Sequence, residues 1–255
     1  MKTDFLFLAQ GGFAALPLVC LVLVVAGAYR TFLSLGLGPA VAARKTIIIG
    51  ALLLGWLAFA SALSLSGFMG NFALAPLNMV PALLPPLAAV LVLTFHPRTQ
   101  GFIRHLPARG LLYLQAFRVP VEVFLWWLFL ANALPERMTF EGRNWDVLSG
   151  LAGPLFAVLC YGGTRYRPRL ALLYHLAGLG LLLHIVLTGV LSLPTPFQVY
   201  KQAPGAEVMV SFPVMFLPTF LVPLAYALHF FSLRKAALEK REVAANHQQL
   251  AVTAS

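Results

Sequence analysis

Seven long apolar stretches divide the chain, at residues 5–29, 46–66, 71–95, 111–134, 147–163, 170–193 and 213–233. Most are long enough to cross a hydrocarbon core of about 30 Å, since a helix rises about 1.5 Å per residue. Hydrocarbon offers backbone N–H and C=O groups no partner, so such spans are helices or strands of a closed barrel. Runs such as Leu16–Ala28 and Thr46–Ala60 lack the alternation of barrel strands, which decides for helices. The pattern predicts an all-α fold, a bundle of seven transmembrane helices occupying 1–233. A cytoplasmic tail, 234–255, rich in Ala, Leu, Glu and Lys as far as Gln249, continues the last helix into solvent.

The polar positions orient this bundle. Arg30, Arg44 and Lys45 fall between the first two stretches, Arg98, Arg104 and Arg109 between the third and fourth, and Arg165, Arg167 and Arg169 between the fifth and sixth. Arg234, Lys235, Lys240 and Arg241 follow the seventh. Only Lys2, Arg137, Arg143 and Lys201 lie on the other side. The positive-inside rule then puts the N-terminus out and the C-terminus in, across the inner (plasma) membrane. The net charge of +10 is spread over alternate loops. It therefore predicts contact with anionic lipid headgroups and argues against nucleic acid, which needs a basic face on one domain. Ala26-Gly27-Ala28 has the small residues of a cleavage site, but Asp4 offsets Lys2 and the apolar run is long, so this segment is read as a retained first span.

Candidate chemistry is concentrated in the fourth stretch, which contains Gln115, Arg118 and Glu122 around Pro120. Ionisable groups inside a span are costly and need partners or water. Arg118 and Glu122 are four residues apart, on one helical face, where they can pair; Gln115 continues that face. By helical rise, Glu122 falls about 16 Å from the inner edge, and Asn78 and His184 about 20 Å. Depth alone therefore predicts convergence of Asn78, Glu122 and His184, with an inner layer of Arg118, Tyr113, His175, Tyr226 and His229. Two readings stay open. In one, Arg118 and Glu122 form a structural ion pair. In the other, they make a ligand or proton site with His184 as relay.

The outer loop Pro135–Asp146 offers Glu136, Glu141 and Asp146 as cation ligands, but Arg137 and Arg143 offset them and the spacing fits no EF-hand. A self-neutralising loop is the better reading, with Asp146 as N-cap of the following helix. The loop before the seventh stretch is expected to hold a short strand or re-entrant cap at Glu207–Phe212. Prolines 76, 81, 85 and 86 in the third stretch, and 213, 218 and 223 in the seventh, predict kinks. Gly150, Gly153, Gly178 and Gly180 permit close helix approach. Cys20 and Cys160 both fall in spans, with no disulfide or metal-ligand spacing.

No cofactor motif is present. No span holds a lysine for a retinal Schiff base, a haem on His175 and His229 rests on depth alone, and the hydrolase and phosphate-loop signatures are missing. The strings Ala116–Glu122, Pro135–Asn144 and Pro194-Thr-Pro-Phe-Gln resemble those of uncharacterised seven-span inner-membrane proteins of bacteria, over most of the chain. That resemblance implies topology and carries no activity. The functions left open are a small-ligand or proton-coupled transporter or receptor-like binder, and a non-catalytic subunit or scaffold that binds a protein partner. A lipid enzyme comes last, for want of a reactive cluster.

Overall fold

The computed structural model describes residues 1–162 and 166–253. Arg165 of the basic loops, the last residue of the fifth stretch (163) and the end of the tail (254–255) lie outside the described residues. The fold is all-helical, with no strand among the described residues. The helices are α1 (Lys2–Ser34), α2 (Pro39–Leu65), α3 (Val80–Phe95), α4 (Gln100–His105), α5 (Ala108–Leu114), α6 (Arg118–Leu130), α7 (Asp146–Tyr161), α8 (Pro168–Ser192) and α9 (Val222–Thr253). Helix occupies most or all of each apolar stretch.

Length and apolarity make four segments long enough to cross a membrane: α1, α2, the α5–α6 rod Ala108–Leu130, and α8. A fifth is reached if α3 and the following Pro97–His105, bent by 72°, count as one. The outward faces carry large apolar side chains; Ile47 and Leu52 of α2 are each 69% exposed. Water would penalise such a surface and hydrocarbon would not, so the fold is that of a membrane-embedded protein.

Neighbour relations follow chain order only in part. α1 lies between α2 and α6, then α6, α7, α8 and α9 pack in sequence, and α9 meets α3. The short α4 and α5 close the group against α9, so α6 to α9 enclose the centre. The tight turn from α1 to α2 needs Gly36, at φ +78°, to end α1, and Pro39 to open α2 where no N–H is required.

The prolines act differently from one another. Pro81 sits in the first turn of α3, where its missing donor costs nothing, so that helix starts at Val80 rather than at residue 71. In the seventh stretch a π-helical turn, Leu217–Leu221, precedes α9. Pro223 cannot donate to Thr219 O four residues back. Trp56 Nε1 of α2 donates to that carbonyl instead, at 2.9 Å. Trp56→Phe removes the donor and keeps the ring, so it should cost about 1–3 kcal/mol in thermal unfolding, the range for an orphaned buried acceptor.

Glu207–Val210 is a 3-10 turn rather than a strand. Met209 and Val210 are buried, and Ser64 Oγ of α2 donates to Val210 O at 2.7 Å, so the loop is tied to the end of α2. The polar part of α9 packs on α4, with Leu238 buried and Arg104 paired to Glu242 at 3.5 Å.

Candidate functional site

Arg118 opens α6 and is 2% exposed. Its guanidinium grips Asp146, the first residue of α7, with two bonds: Nε donates to Oδ2 at 2.7 Å, and Nη2 donates to Oδ1. Nη1 donates to Ser149 Oγ of α7 at 2.7 Å and to His229 Nε2 of α9 at 3.0 Å. Nη2 also reaches Gly178 O of α8 at 3.5 Å. A guanidinium has five N–H donors, and these five contacts use them all. One side chain thereby joins four helices.

The guanidinium can only donate, which fixes the histidines beyond it. His229 Nε2 accepts, so its proton sits on Nδ1 and is donated to His175 Nδ1 at 3.0 Å. The remaining proton of neutral His175 is then on Nε2, a buried atom with no partner among the described residues. The two rings meet edge to face, with centroids 5.3 Å apart, and Tyr174 packs on both while donating to Ser149 O at 3.0 Å. An iron between two imidazoles needs ring nitrogens roughly 4 Å apart, so these rings, as placed, do not fit a haem.

Glu122 lies one turn beyond Arg118 but does not pair with it. Both of its oxygens accept from Asn144 Nδ2, at 2.7 Å each. Asn144 also donates to Met138 O at 3.2 Å, and its Oδ1 accepts from the Asp146 N–H at 3.1 Å. The expected Arg118–Glu122 pair is thus replaced by Arg118–Asp146 and Glu122–Asn144. Asp146 does not cap α7: it is the first helical residue, and its carboxylate goes to the arginine. The cause is the Pro135–Trp145 loop, which folds inward. A Cβ at Gly142 would run into the Glu136 carbonyl, so glycine is required at that fold.

The other candidates scatter. His184 is exposed and bonds Arg143 O through Nε2 at 3.1 Å. Asn78 is buried but donates to Met69 O at 2.6 Å, holding the segment before α3. No hydrogen bond among the described residues joins Asn78, Glu122 and His184. Gln115 is fully buried, and neither amide atom has a partner among the described residues. Of the inner layer, Arg118, His175 and His229 meet. Tyr113 lies outside beside Arg109, and Tyr226 stacks on Phe230. Glu136, Glu141 and Arg143 line a polar pocket of about 290 Å³ with Arg137, which sits 4.0 Å over the Tyr200 ring. Asp146 is not among its lining residues. No three His, Cys, Asp or Glu side chains among the described residues stand where they could share a metal ion.

Sequence reasoning missed Asn144 and Ser149. Their only signal was position: Asn144 two residues before Asp146, and Ser149 three after it on the same face. Gly178 was legible as a contact glycine. A Cβ there would lie 2.7 Å from Ser149 Oγ and 2.9 Å from His229 Nε2, whereas Gly180 faces open space. Gly178→Ala should therefore cost about 1–3 kcal/mol of thermal stability, while Gly180→Ala should cost nothing measurable.

The fold and buried centre define an all-helical, membrane-embedded protein with a polar clasp between four helices. The chain belongs to the family described as Domain of unknown function (DUF8737), whose model matches residues 74–237, more than half of its length and the whole of the clasp. No curated protein and no solved structure matches it.

Proposed function

We propose that this is a seven-span protein of the inner membrane, N-terminus out and C-terminus in, acting as a non-catalytic membrane subunit or scaffold. The observation that carries the role is the saturation of Arg118. Every N–H of the Arg118 guanidinium is taken by the protein itself. None remains for a ligand, so the charge is spent on holding α6 to α9 in one arrangement. The basic loops around Arg98, Arg109 and Arg169 then face anionic headgroups. The tail's Arg241 is available to a protein partner.

A double-mutant cycle on Arg118 and Asp146 tests the role. Strong coupling supports it, and additive losses reject it. Topology is tested separately, with cysteine at Arg98 or Glu141 and a membrane-impermeant maleimide on intact cells. Glu141→Cys should label and Arg98→Cys should not; the reverse overturns the orientation.

One observation favours a second reading, a proton-coupled carrier or receptor-like binder. Glu122 is 2% exposed and has only the amide of Asn144 on its carboxylate, with no cation in ion-pair contact among the described residues. A buried carboxyl without a counter-ion is suited to exchanging a proton. Glu122→Gln separates the two readings.

A further inference from the structure

A cavity of about 860 Å³ opens beside the clasp rather than within it. It lies between the end of α7, the first turns of α8 and the region of α9 from Ser232 to Ala244. Leu172, Leu233, Ala236 and Ala237 give it an apolar wall, and Tyr161 stacks on Tyr166 at its side. Arg169 and Lys240, both exposed, stand along it. The acid in the lining, Glu239, is already paired with Lys235 at 3.0 Å, so the charge offered to an occupant is positive.

The cavity also has a polar end. His175 lines it and is 3% exposed. The bonding order from Arg118 through His229 leaves the His175 proton on Nε2, the ring nitrogen on the far side from His229, with no partner among the described residues. A buried donor left over in this way calls for an acceptor. Along α8, His175 is about 9 Å deeper than Arg169 by helical rise.

Cations at the membrane boundary, a hydrogen-bond donor beneath them and an apolar wall beside both match the anatomy of a glycerophospholipid. Its phosphate lies at the headgroup plane, its ester carbonyls just below and its acyl chains below those. We infer that this cavity is a site for one anionic phospholipid. The phosphate lies against Arg169 and Lys240, an ester carbonyl accepts from His175 Nε2–H, and an acyl chain runs along Leu172 and Leu233. Basic pockets between helices at the cytoplasmic boundary recognise anionic headgroups by the same physics. The inference does not depend on the scaffold role, because it uses the outer nitrogen of His175 and leaves the clasp intact.

The experiment uses the full chain, purified in detergent, with dioleoylphosphatidylglycerol, dioleoylphosphatidylcholine or inorganic phosphate added. Lipid retained per chain is then counted by native mass spectrometry. One phosphatidylglycerol should be retained in preference to phosphatidylcholine. The double variant Arg169→Ala/Lys240→Ala should lower its retention roughly tenfold or more, because each cation beside an anionic headgroup adds its own attraction. Leu172→Trp, on an exposed position, should fill the groove and do the same. Both variants alter surface positions, and unchanged thermal unfolding in the absence of lipid confirms that they fold. Equal retention of phosphatidylcholine overturns the proposal, as does retention unchanged in both variants. Displacement of the lipid by inorganic phosphate alone also overturns it, and would identify a simple anion site.

Discussion

Arg118→Met should destabilise the folded chain by about 3–5 kcal/mol, because it strands the buried Asp146 carboxylate. Asp146→Leu should cost a similar amount by stranding the guanidinium. In the double variant neither charge is left, and well-packed apolar side chains replace a buried pair at little expense. Ser149 Oγ and His229 Nε2 still lose their donor, which leaves a residual cost of about 1–3 kcal/mol. The double variant should therefore be several kcal/mol better than the sum of the singles, a coupling at the upper end of those seen for residues in one network. Reversible unfolding in mixed micelles measures all three. Additivity within about 0.5 kcal/mol would show that the four-helix clasp does not hold the bundle together.

Loss of the Asn144 side chain should be nearly as damaging. Asn144→Ala removes both bonds to Glu122, the bond to Met138 O and the acceptor for the Asp146 N–H in one step. A buried carboxylate without donors costs more than a neutral group, so the loss should be about 3 kcal/mol. Glu122→Gln is the informative contrast. The glutamine amide oxygen still accepts from Asn144 Nδ2 but its NH2 replaces the second acceptor, so stability should fall by about 1–3 kcal/mol with the fold kept. If Glu122 is structural, proteoliposomes carrying the glutamine variant will take up protons after a pH step as the parent protein does, as read by an entrapped pH dye. Uptake present in the parent and abolished by Glu122→Gln, with folding intact, moves the assignment to the proton-coupled reading.

Part of this centre is legible in the amino-acid sequence. Arginine and glutamate within one apolar stretch have to be buried, hydrogen-bonded and consequential, because hydrocarbon leaves them no other means of support. The histidines at equal depth, His175 and His229, do meet. Pairing is the part that cannot be read. Spacing of four residues brings Arg118 and Glu122 to one face, but Asp146, twenty-eight positions on, takes both ends of the guanidinium fork. A bidentate planar carboxylate outcompetes a neighbour on the same helix whenever the backbone delivers one. What delivers it is the inward fold of residues 135–145, set by Gly142 and Asn144 rather than by hydrophobic pattern. His184 illustrates the converse error. Depth along a helix ranks residues well enough, but depth says nothing of azimuth, and His184 lies on the exposed side of α8.

The sequence by itself determined that the chain is helical, that its surface is apolar and that its charges collect mainly between the apolar stretches. These follow from the absence of backbone partners in hydrocarbon and from the cost of moving cations through it, both properties of single segments. Only the tertiary structure decided which carboxylate holds Arg118, how Trp56 covers the carbonyl that Pro223 leaves vacant, and that His175, at the edge of a cavity, ends the chain of bonds with an unpartnered donor. Those are relations between helices far apart in sequence. They depend on rotation about each helix axis and on loop geometry, and no periodicity within one segment encodes either.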